Sequence, residues 1–168
     1  MNPETIFNLQ TLLSLILFFI IAKWYVLPSL YKKDYYSALI PLLLFSAFRY
    51  LGLNFLVPHL SNGVADTVFA VPAAYGDFSV GILALVATLL LRFRSSIGVA
   101  LAWLYAVVGA ADFIMAGFLG TMSDLPTKAG SLWSVLTVAG PAWMITILFL
   151  FVVLIRHPGK SPQASRKK

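Results

Sequence analysis

The sequence has no cysteine and only two histidines. Disulfides, thiol catalysis, iron–sulfur clusters and cysteine-ligated zinc or haem are thereby excluded. His59 and His157 fall at the ends of different apolar runs, on opposite sides of the expected bundle, which argues against a bis-histidine haem or a two-histidine metal site. Charge is scarce as well, at 11% of 168 residues, against about 25% in an average soluble domain. Glycine-rich phosphate loops, H-E-x-x-H helices and nucleophile elbows are missing, so the sequence indicates no enzyme class, no catalytic residue and no cofactor.

What the chain has in abundance is apolar sequence, 60% of its residues. Several runs exceed the ~18 residues that mark a membrane-crossing helix, and too little chain lies between them for a separate soluble domain. The expected fold is an all-α integral membrane protein, a bundle of five transmembrane helices over 1–155. The spans fall at about 5–22, 37–57, 67–91, 97–120 and 131–155. Residues 156–168, rich in proline, serine and basic side chains, read as a disordered cytoplasmic tail. The opening Met1-Asn2-Pro3-Glu4-Thr5 lacks the basic region of a signal peptide, and no cleavage site follows, so the first span is expected to be retained.

The net charge of +6 follows topology and calls for no nucleic-acid partner. Lys23, Lys32, Lys33, Arg92, Arg94, Arg156 and the tail lysines fall on one side of the bundle, while Lys128 alone falls on the other. By the positive-inside rule the amino terminus lies outside and the carboxyl terminus in the cytoplasm of a multi-pass inner-membrane protein. The partners expected are the lipid bilayer, a small molecule, proton or cation, and a second copy of the chain. Trp24 and Trp133 read as interfacial belt residues, and the connector from Pro28 to Tyr36 is expected to lie along anionic headgroups.

Three ionisable residues fall inside the spans: Arg49, Asp77 and Asp112. Charge at a helix centre costs about 2.5–3.5 kcal/mol on insertion scales, so it is normally paired or functional. At about 1.5 Å per residue, each of the three lies some 13–15 Å from the outer end of its span, so all share one depth. Asp77 belongs to a stripe of Ala73, Gly81, Ala84 and Thr88, and Asp112 to one of Gly98, Ala102, Tyr105, Gly109 and Ala116. Residues so spaced share a helix face, and small ones let neighbouring backbones approach. Facing stripes bring the two aspartates together, with Arg49 supplied by span two. One cation and two carboxylates leave an excess negative charge, which a low-dielectric setting balances with a proton or a second cation.

The candidate ligand- or ion-binding set is therefore Arg49, Asp77 and Asp112, with Tyr75, Tyr105, Asn54 and Trp143 as polar or aromatic neighbours. Pro72 and Gly76 are expected to kink or unwind span three beside Asp77, and Gly140-Pro141 to break span five. Asp66 reads as a helix cap, and His157 as a surface residue. The leading reading is a buried polar site that binds a small ligand or passes protons or cations. A structural or accessory subunit packing through its small-residue faces comes second, and a membrane-embedded lipid-modifying enzyme third.

In architecture, five spans in a short chain with several tryptophans resemble the tryptophan-rich sensory/translocator family, whose members bind tetrapyrroles and sterols. Its proline–tryptophan motifs do not occur here, so the resemblance assigns no residue a role. The segments Phe48-Arg49-Tyr50-Leu51-Gly52-Leu53 and Ala74-Tyr75-Gly76-Asp77 resemble those of small bacterial multi-pass proteins, which implies no activity.

Overall fold

The computed structural model describes residues 1–61 and 63–157. Residues 158–168 of the expected tail lie outside the described set. The described residues include five long apolar helices: α1 (Pro3–Tyr31), α2 (Tyr35–Leu56), α3 (Ala70–Arg92), α4 (Ser96–Met122) and α5 (Gly130–Arg156). Each is long and apolar enough to cross a membrane, and among the described residues there is no strand.

Capping explains several of the boundaries. Asn2 accepts from the Thr5 N–H with Pro3 as the first helical residue, Asp34 accepts from the Ser37 N–H, and Ser95 from the Ile97 N–H. These side chains satisfy donors that the first turn of a helix leaves open. Asp66 caps nothing of this kind. It is exposed in a short turn, Val64–Asp66, and α3 starts after Phe69 with no side-chain cap.

Three of the helices leave α geometry. In α1 and α5 the segments Ala22–Val26 and Val135–Ala139 widen into π turns, in which Leu27 donates to the Ala22 carbonyl and Gly140 to that of Val135. Both π turns are followed by one residue and then a proline, Pro28 and Pro141. A proline clashes with the carbonyl four residues back, and a wider turn relieves that clash. The expected break at Gly140-Pro141 therefore takes this form. At Pro28 the same device carries α1 on to Tyr31, nine residues past the expected end of span one. Much of the supposed headgroup connector is thus helix.

The third departure is in α2, which tightens from an α-helix into a 3₁₀ helix over Phe48–Leu56. Three residues per turn line up positions three apart. Ser46, Arg49, Gly52 and Phe55 accordingly form one buried row. By contrast α3 is continuous. Pro72 falls in its first turn, where no N–H is needed, and the helix does not unwind beside Asp77.

Helices α2 to α5 surround the core, with α3 packed between α2 and α4, and α5 closing the far side. One apolar cluster, including Leu39, Leu43, Leu91, Ala102, Leu150 and Leu154, fills the end near the 32–34 and 93–95 connections. A second, with Phe55, Phe69, Ala74 and Leu132, fills the opposite end. Helix α1 is peripheral and leans on α5. Only 6% of its most apolar stretch is buried, against 50% in α5. Among its holds are Ala22 against Ile145 and Phe149, and Trp133 of α5. The Trp133 indole donates to Gln10 at 2.5 Å and stacks edge-on with Phe7 at 5.3 Å.

Candidate functional site

Arg49 is fully buried between the two apolar clusters. Its Nε donates to Asp77 Oδ1 at 2.7 Å, and Nη2 lies 2.5 Å from the same oxygen. Nη2 also donates to Asp112 Oδ2, and Nη1 to the Gly109 carbonyl at 3.4 Å. The guanidinium lies 4.2 Å from the centre of the Phe113 ring, a cation–π contact in a desolvated setting. Every nitrogen of the guanidinium is thus engaged. Asp77 Oδ2 and Asp112 Oδ1 accept no hydrogen bond from a described residue, and both aspartates are buried. The Tyr105 hydroxyl is buried near Ser46 and Arg49 without meeting hydrogen-bond geometry with either.

Glycines make room for this cluster. A Cβ at Gly52 would lie 2.5 Å from Asp77 Cβ, and one at Gly76 would collide with Asp112 Oδ1. At Gly109 it would lie 3.2 Å from Arg49 Nη1. Gly76, expected to loosen α3, instead lets α4 approach it. The 3₁₀ row of α2 places Gly52 one turn from Arg49 on the same face, so the tight winding and the missing side chain act together.

Beside the cluster lies a cavity of about 620 Å³, lined by residues of all five helices and of the α4–α5 connection. Arg49 and Asp77 form its floor, while Phe55, Phe69, Phe113 and Trp143 line its walls. Glu4, Thr121 and Asp124 stand at its mouth, at the end of the bundle that carries the amino terminus. The π turn of α5 shapes one wall through Val135 and Leu136, with Gly140 and Pro141 next to it. Thr11 on α1, the helix packed against that turn, also lines the cavity. Its hydroxyl oxygen is covered and makes no hydrogen bond with a described residue.

A family described as Domain of unknown function (DUF8737) matches residues 6–155. The chain belongs to that family. In the DUF8737 chain the matched stretch begins inside α1 and ends one residue short of the end of α5, so it holds the whole charge cluster and nearly all of the cavity. No curated protein and no solved structure matches the chain. The architectural resemblance to the tryptophan-rich sensory/translocator family gains no support from these comparisons.

Of the residues singled out from the sequence, the DUF8737 fold brings Arg49, Asp77, Asp112 and Tyr105 together and sets Trp143 in the cavity wall. Tyr75 points away and is 57% exposed, because it lies two residues before Asp77, on a different face of α3. Asn54 is half-buried and lines no part of the cavity, because three-residue winding turns it off the Arg49 face. His157 is buried, against expectation. Its ring lies 3.3 Å from the Leu30 carbonyl and packs edge-on against Tyr31, fastening the end of α5 to the end of α1.

Sequence reasoning missed Gly52, Phe55, Phe69, Thr11 and the acidic mouth. The spacing of 46, 49, 52 and 55 by threes was the available signal for the first two. Glu4 and Asp124 lie 120 residues apart and carry no shared pattern, so only the fold joins them.

Proposed function

We propose that this is a multi-pass protein of the cell inner membrane that binds a small ligand in the cavity above Arg49, Asp77 and Asp112. The single observation that carries this reading is the cavity itself: it is of the size that takes small molecules, is walled by aromatics, and ends on a carboxylate. A cluster serving only to lock helices needs no such opening.

The membrane setting rests on the outward faces of the five helices, where large side chains such as Leu89, Val107, Ile114 and Phe118 are exposed and need an apolar solvent. Orientation rests on charge. Lys32, Lys33, Arg92, Arg94 and Arg156 flank one end, and Glu4, Asp66, Asp124 and Lys128 the other. The basic end faces the cytoplasm, and the cavity opens to the outside.

A second reading is favoured by one specific feature. Arg49 has each of its nitrogens engaged and is enclosed by glycines, as a purely structural lock would be. In that reading the protein is an accessory subunit, and the cavity is a packing defect or a place for a partner helix.

The chain has no cysteine, so single thiols report without background. Gly117→Cys is the suitable probe, since Gly117 lines the cavity and a Cβ there meets nothing within 4 Å. In intact cells it is expected to react with a membrane-impermeant maleimide. Phe93→Cys, exposed at the opposite end, is expected to react only after permeabilisation. The reverse pattern would overturn the orientation, and an unreactive Gly117→Cys would overturn the open cavity.

A further inference from the structure

We infer that the ligand of this cavity is an amphipathic organic cation, a protonated amine whose head meets Asp77 and whose apolar body lies against Phe55, Phe69 and Trp143. This rests on the ligand-binding reading above and names its chemical class.

The argument is one of charge and of available hydrogen-bonding atoms. Among the described residues the carboxylates around the cavity are Glu4, Asp77 and Asp124, and the one cationic lining residue is Arg49. All nitrogens of Arg49 already serve Asp77, Asp112 and the Gly109 carbonyl. An anionic ligand would therefore face three carboxylates and a single guanidinium already shared between Asp77 and Asp112, an arrangement that repels it. A cation meets the opposite. Asp77 Oδ2, which lies beside Gly52, accepts no hydrogen bond from a described residue, and the Thr11 hydroxyl of the cavity lining is likewise a polar atom without a partner among the described residues.

An inorganic cation fits less well. Such ions take several oxygen ligands at once, and among the described residues no group of three acidic or histidine side chains is placed to hold one. The walls, moreover, are mostly apolar and aromatic. Aromatic faces stabilise an ammonium while burying hydrocarbon, so head and body are served by different parts of one cavity. The acidic mouth adds selectivity of approach, since Glu4 and Asp124 raise the local concentration of cations.

The test is calorimetric titration of the protein in nanodiscs, with empty nanodiscs subtracted, using three matched probes: 4-phenylbutylamine, 4-phenylbutanol and 4-phenylbutyrate. The amine is expected to bind about tenfold or more tighter than the alcohol, the range of a charge-assisted hydrogen bond, and the carboxylate weakest of all. Asp77→Asn should erase the amine's advantage and leave the alcohol unchanged. Should Asp77→Asn not fold, the exposed pair Glu4→Gln with Asp124→Asn serves instead. It should weaken the amine and not the alcohol, and flatten the salt dependence of amine binding. Gly117→Trp, which enters open space, should abolish binding of all three. Equal affinity of amine and alcohol, both lost in Gly117→Trp, would overturn the cation inference while sustaining the ligand site. Binding that Gly117→Trp leaves intact, or no binding by any probe, would overturn the ligand site as well.

Discussion

Arg49 turns both its Nε and its Nη2 toward a single oxygen of Asp77, at 2.7 and 2.5 Å, so that the second carboxylate oxygen keeps its full capacity to accept. A two-oxygen fork would have been the more saturating geometry. The reason lies in Asp112, which draws the outer face of the same guanidinium toward α4. One cation is thereby shared among three helices, and each aspartate keeps one oxygen that accepts from no described residue, Asp77 doing so beside the cavity.

Removal of the cation should be costly. Arg49→Gln leaves two buried carboxylates without a counter-charge, and loss of one partner from a buried pair typically costs about 3–5 kcal/mol. Denaturant titration of the reconstituted protein should show this loss. The triple change Arg49→Gln, Asp77→Asn, Asp112→Asn should recover most of it, because no charge remains to be compensated. A triple variant as unstable as the single one would show that these side chains matter for packing and not for charge.

The glycine wells make an independent prediction. Alanine normally favours a helix over glycine by about 0.8–1.0 kcal/mol, yet at Gly52 and Gly76 the added methyl runs into Asp77 and Asp112. Overpacking of this kind costs about 1–3 kcal/mol, so both substitutions should lower the unfolding midpoint. Gly117→Ala meets nothing and should be neutral or better.

The hold on α1 near the cavity mouth rests on Trp133. Trp133→Phe removes the indole donor to Gln10 and keeps a ring for Phe7, a loss of about 0.5–1.5 kcal/mol for the hydrogen bond. Its effect should be local. Hydrogen exchange should quicken over residues 3–15 and stay unchanged in α3 and α4, since α1 packs chiefly on α5.

Acid sensitivity at the basic end follows from Asp34, which lies between α1 and α2. Hydrogen bonding from Ser37, and secondarily the Arg94 guanidinium at 3.4 Å, holds its carboxyl below the ordinary value of 3.8. A lowered folded-state value means that ionised Asp34 stabilises the fold above pH 3.8, and that this contribution fades as the pH falls toward the folded-state value. Asp34→Asn should flatten the acid limb of the stability profile from about pH 3.8 downward. The effect is small, because both partners are largely solvated.

Much of this was legible in the sequence. The five apolar runs, the shared depth of Arg49, Asp77 and Asp112, and the small-residue faces of α3 and α4 follow from composition and from a 3.6-residue period. What escaped did so where the period changes or where contacts are long-range. Three-residue winding in α2 hid the row from Ser46 to Phe55 and put Asn54 off the site. The π turns before Pro28 and Pro141 lengthened α1 and shaped the cavity wall, whereas a proline at the start of α3 disturbed nothing. His157 was misjudged because the atoms that bury it, in Leu30 and Tyr31, lie more than 120 residues away.

The most direct test of the central claim, an outward cavity of negative potential that reaches Asp77, is the rate at which a thiol one turn above Asp77 is modified. Ala73→Cys lines the cavity in a chain with no other cysteine. It is compared with cationic trimethylammonioethyl and anionic sulfonatoethyl methanethiosulfonate, each rate normalised to that of a small thiol in solution. The account predicts that the cationic reagent reacts faster by about tenfold or more, and that Asp77→Asn in the same chain reduces the difference. Equal rates, a faster anionic reagent, or no reaction at Ala73→Cys while Gly117→Cys reacts would contradict it.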